Sequence, residues 1–90
     1  MAFGDVSAFE QTVTPAEAAH ETLFQLGLIH ATGNGAELDL VAAHKWFNLA
    51  AMKGSEEARF RRQELAEVMS VTDVAKAQRA AREWLSRSMH

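Results

Sequence analysis

Ninety residues, 48% of them hydrophobic, suffice for one small domain, because a chain of this size buries roughly 60–65% of its unfolded surface around a single core. The absence of cysteine excludes a disulfide framework and thiolate chemistry, leaving hydrophobic packing to carry the stability. A net charge of −3 argues against a general nucleic-acid binder, which needs a basic excess to neutralise phosphates.

The average charge conceals an asymmetry. Residues 1–52 hold six acids (Asp5, Glu10, Glu17, Glu21, Glu37, Asp39) against Lys45 alone, while residues 53–90 hold eight basic residues against six acids. Mixed solvated helix faces account for this, and head-to-tail pairing of a dipolar chain is the alternative. The first dozen residues lack a basic n-region and an apolar run, so they do not read as a secretory signal. No segment approaches the roughly 20 apolar residues of a membrane span. The expectation is a complete cytoplasmic chain with no membrane partner.

In chain order, residues 1–13 read as a flexible arm, with Phe3, Val6 and Phe9 spaced for one helical turn. A single helical domain is expected over 14–90. Pro15 behind Thr14, with Glu17 three residues on from Thr14, forms a capping box, so a first helix is predicted from about 15 to 32. It ends at Gly33-Asn34-Gly35, residues that tolerate positive φ. Asp39 is an N-cap for a second helix over 39–53, whose Ala43, Trp46, Phe47 and Ala50 share one face. Gly54 closes it.

Ser55 caps a third helix over 55–69, with Glu56 and Glu57 favoured in its first turn by the helix dipole. Ser70 and Asp73 form a second box ahead of a fourth helix over 71–87, with the face Val74, Ala77, Ala81, Trp84 and Leu85. The fold class predicted is all-α, with four helices as two antiparallel hairpins, because the connections are short.

One pattern exceeds what amphipathicity requires: Leu26-Gly27, Gly33, Gly35, Asp39, Ala43, Trp46, Ala50, Ala51, Gly54 and Ala58. It resembles the Sel-one-like repeat, a relative of the tetratricopeptide repeat, over residues 19–58. Where the family often has tyrosine this chain has His30, and where it often has alanine this chain has Thr22. Gly27 costs about 1 kcal/mol in a helix relative to alanine, so it marks a close approach of the second helix. Ala43, Ala50 and Ala51 serve the same end, and Trp46 fills space that small residues leave. A second copy is degenerate: Arg62 replaces Leu26 and Gln63 replaces Gly27, while Asp73 and Ala77 match Asp39 and Ala43 only after the loop is shortened by two. Residues 65–85 look like the closing helices that often follow such repeats in bacterial members of the family.

The resemblance thus implies a minimal α/α solenoid fragment, one repeat plus a capping hairpin, whose open end is covered by that hairpin or by a second subunit. Arg62 falls where a core leucine is expected, and a snorkelling arginine paired with an acid is the expected outcome.

Catalytic and metal motifs are missing. His20-Glu21 begins like a zincin helix, but the second histidine would fall at Phe24. His30 and His44 fall on different helices and match no common ligand spacing, and His30 reads as a packed ring. Gly33-Asn34-Gly35 lacks the lysine or strand of a phosphate loop, and Glu56 and Glu57 diverge around their helix. The chain is therefore not expected to be an enzyme or to carry a metal or cofactor. Arg59, Arg61 and Arg62, with Lys76, Arg79, Arg82 and Arg87, are the nucleic-acid candidates, but Glu64 and Glu83 interrupt them and no aromatic stacking set accompanies them. Arg59 and Arg62 stand as a secondary basic patch for a disfavoured nucleic-acid reading.

In the repeat family the first helices line a concave surface that takes peptides or proteins. The resemblance therefore implies an adaptor or scaffold. On the first helix the expected buried set is Ala19, Leu23, Leu26, Gly27 and His30, leaving Glu21, Phe24, Gln25, Leu28 and Thr32 as the partner-binding stripe, with Phe24 and Leu28 exposed. A self-associating structural or regulatory subunit is the alternative.

Overall fold

The computed structural model describes residues 14, 15 and 17–87. The expected arm over 1–13, with Phe3, Val6 and Phe9, and the terminal His90 lie outside the described residues. Among the described residues there are four helices: α1 (His20–Thr32), α2 (Leu40–Met52), α3 (Glu56–Val68) and α4 (Val71–Ser86). The fold is all-α, with no strand among the described residues.

Three helices begin where their caps predict. The Asp39 side chain accepts from the Ala42 N–H, the Ser55 hydroxyl from the Ala58 N–H and the Ser70 hydroxyl from the Asp73 N–H, each at 3.0–3.1 Å. Each satisfies one of the donors that a helix start leaves orphaned, worth about 1 kcal/mol. At the end of α1, Gly33 turns left-handed (φ 72°) while its N–H donates to the Ile29 carbonyl at 2.9 Å. Gly35 and Gly54 also have positive φ, at the two places where the chain reverses.

The first helix departs from the expected boundary. Thr14 and Pro15 do open a turn, closed by bonds from the Glu17 and Ala18 N–H groups to the Thr14 carbonyl, but α1 starts only at His20, and its N-cap, Ala19, is extended and supplies no side-chain bond. The reason lies at the far end of α2. The Lys53 ammonium donates to the Pro15 carbonyl and, at 2.8 Å, to the Ala18 carbonyl. Those two oxygens face a cation instead of the amides of a following helical turn. Ala18 is buried as a result and Ala19 is exposed, the reverse of the expected burial at Ala19.

Helix α2 is the hub, packing against α1, α3 and α4. Its sequence suits this, since Ala43, His44, Trp46, Phe47, Leu49 and Ala50 are all buried and spread around much of its circumference. Leu23 and Leu26 from α1, Ala58 from α3, Ala81 and Trp84 from α4, and Ala18 from the turn just ahead of α1 join it in the core. Each fully buried large apolar side chain stabilises the fold by about 1.5–3 kcal/mol. The two tryptophans meet edge to face, ring centroids 5.2 Å apart at 80°, so Trp46 fills its space against α4. Gly27 is approached by Phe47: a Cβ built on it would stand 2.5 Å from two carbons of that ring.

Candidate partner-binding surface

Two helix starts converge beside the Pro15 turn. Because Lys53 holds that turn against the end of α2, the first two turns of α1 lie close to Ser55, the residue that caps α3. Between them is an open groove of about 450 Å³, lined by His20, Glu21, Thr22, Phe24, Gln25 and Ser55. Glu21 and Gln25 are exposed, one turn apart on α1, while Phe24 and Thr22 are half-buried. Among the described residues that line it, Glu21 is the single formal charge, and it stands in the first turn of α1.

Of the five residues expected to bind a partner, the groove therefore gathers three: Glu21, Phe24 and Gln25. Phe24 and Leu28 are not the freely exposed pair that was expected. Both are half-buried and packed against the core, and the Phe24 ring lies 5.6 Å from that of Phe47. Their positions flank Gly27, and the missing glycine side chain draws Phe47 toward α1, within reach of Phe24. Thr32 is exposed, but its hydroxyl donates to the Leu28 carbonyl at 2.8 Å and accepts from the Asn34 N–H at 3.2 Å, shaping the end of α1.

The basic patch divides. Arg59 is exposed and stands 3.5 Å from the carboxylate of Glu56 on its own helix. Arg62 is half-buried and donates to the side-chain carbonyl of Asn48 on α2 at 2.6 Å. Its partner is thus an amide, where an acid was expected, because α2 presents no carboxylate to that face of α3. Beside it lies His44, one turn from Asn48, buried and with Nδ1 unpartnered. Burial, and then the Arg62 charge, hold the His44 imidazole below its ordinary pKa and so neutral. The sequence reading did not single out His44 or Asn48 as a polar pair. Their i, i+4 spacing on a buried face, with a basic residue at a core position of the next helix, was the available signal. His30, expected as a packed ring, is half-buried, and its carbonyl accepts from the Asp39 N–H at 3.0 Å, tying the loop back onto α1.

Among the described residues no three His, Asp or Glu side chains come together as a metal site, and no helix is long and apolar enough to cross a membrane. Of the eleven positions that carry the resemblance, Leu26, Gly27, Ala43, Trp46, Ala50 and Ala58 are buried, Ala51 is packed against the core, Asp39 caps α2, and Gly33, Gly35 and Gly54 turn the chain. No protein-family model, curated protein or solved structure matches the chain.

Proposed function

We propose that the chain is a Sel-one-like helical unit, closed by a capping hairpin, that works as a protein-interaction module. It takes a peptide or protein segment into the groove at the start of α1. The observation that carries this reading is the gathering of Glu21, Phe24 and Gln25 around one open groove. Phe24 offers the exposed part of an aromatic ring as an apolar contact, and Glu21 and Gln25 supply a carboxylate and an amide at its rim. A partner segment with an apolar anchor followed by a basic residue satisfies both. The repeat resemblance supports the same surface, since first helices carry the contacts in that family.

The test is site-specific photo-crosslinking in a cell extract from a photoreactive residue at Gln25, with one at exposed Glu37 as the control position. The expected result is a discrete adduct from position 25 that is lost in Glu21→Lys, a surface change that leaves helicity intact. An adduct pattern identical at the two positions, or indifferent to Glu21→Lys, would remove the groove from consideration.

A further inference from the structure

Helix α3 packs on α2 through Ala58, Arg62 and Leu65 and leaves its opposite face uncovered. That face is apolar at two points. Phe60 is 59% exposed and Val68 73%, and beyond the turn that follows α3, Val71 is 87% exposed. Scattered exposed hydrophobic residues are ordinary, but Phe60 and Val68 share one face of α3, and Val71 opens the helix that follows. Between Phe60 and Val68, on the same side, stand Glu64 and Glu67.

Charge identifies the occupant. The other acids of α3 are matched within the helix, Glu56 by Arg59 and Glu57 by Arg61, both at 3.5 Å. Glu64 and Glu67 have no ion pair among the described residues. On α4, Asp73 stands 3.9 Å from Lys76, whereas Arg79 and Arg82, on the side opposite buried Ala77, Ala81 and Trp84, have none. Exposed Glu83 does not come within ion-pairing distance of either arginine. Each unmatched set is spaced three residues along a helix, about 4.5 Å of axial rise, so the two sets have the same repeat.

We infer that the outer faces of α3 and α4 form a homotypic interface: in a closed twofold dimer, α3 of each copy lies along α4 of the other. Glu64 and Glu67 then meet Arg79 and Arg82 of the second copy, and Phe60, Val68 and Val71 are covered in the seam. A ligand of single polarity satisfies only one of the two charge sets, whereas a second copy brings both. Reciprocal pairing makes the interface isologous, which closes the assembly at two. None of these interface residues lines the α1 groove, so dimerisation and partner capture are tested by different variants.

Analytical ultracentrifugation over a concentration series, at low and at high salt, tests this. The wild-type chain is expected to pass from monomer to dimer with rising concentration, more weakly at high salt. Glu64→Arg with Glu67→Arg, or Arg79→Glu with Arg82→Glu, should each weaken the dimer by at least about tenfold. The fourfold charge exchange should restore it, an outcome that general surface damage does not produce. Phe60→Ser should weaken the dimer under both salt conditions. A wild-type chain that stays monomeric at low salt, open-ended growth beyond the dimer, or a fourfold exchange no tighter than its parent double variants overturns the inference. Circular dichroism of each variant establishes that the comparison is between folded chains.

Discussion

Replacing Gly27 by alanine sets two large effects against each other. In an exposed helix the change is favourable by about 1 kcal/mol, because glycine loses more backbone entropy on folding. Here the added methyl would stand 2.5 Å from two ring carbons of Phe47, nearer than van der Waals contact by about an ångström. The ring cannot turn aside into solvent, being 1% exposed and tilted against Phe24 at a centroid distance of 5.6 Å. Overpacking of this kind costs typically ~1–3 kcal/mol, and in a site with a rigid aromatic the upper half of that range applies. The net expectation is a loss of about 1–2 kcal/mol. For a domain of this size that is a fall in Tm of roughly 4–8 °C for each kcal/mol.

Urea unfolding followed by far-ultraviolet circular dichroism and by fluorescence of Trp46 and Trp84 measures it. A companion experiment identifies the cause. Phe47→Leu removes the ring, so Gly27→Ala in that background should cost less than in the wild type by more than ~0.5 kcal/mol, the usual limit of additivity. A Gly27→Ala chain as stable as the parent, or more so, would refute the close-packing account and leave helix propensity as the governing term.

Two further outcomes are expected. The His44 imidazole has a folded-state pKa below its unfolded value near 6.5, through burial first and the Arg62 charge second. Its contribution to stability is therefore complete above pH 6.5 and is lost as the pH falls below it, with a slope of at most about 1.4 kcal/mol per pH unit for one proton. Urea midpoints at pH 7.5 and at lower pH should converge in His44→Leu, and an unchanged acid slope in that variant would point to another group. Lys53→Met removes the two bonds to the Pro15 and Ala18 carbonyls. Discounted for the exposure of the lysine, the loss is about 1 kcal/mol. It should speed amide exchange in the first turn of α1 far more than in α4, and uniform acceleration would contradict the local role.

Helices α2, α3 and α4 were legible from sequence because their boundaries are local physics. Asp39, Ser55 and Ser70 sit three residues before the amides they cap, and the glycines at 33 and 54 supply positive φ where the chain turns. The interior of α2 was legible for the same reason, since Ala43, Trp46, Phe47 and Ala50 repeat at helical spacing and all four are buried. The partner-binding stripe on α1 was legible only in part. Periodicity places Phe24 and Leu28 beside the buried stripe, but how far each is covered depends on the width of the neighbour, and Phe47 reaches α1 because residue 27 lacks a side chain.

What the sequence determined by itself is the set of helices after Gly33, their caps and the small residues that let them approach. The tertiary structure alone decided the rest. A capping box at Thr14 and Glu17 is a sound helix signal, yet it lost to an ammonium 35 and more residues away that takes the carbonyls the helix would have used. Arg62 and Asn48 likewise became partners because two helices cross there. Contacts between residues distant in the chain leave no periodic trace, so their outcome is set only when the helices pack.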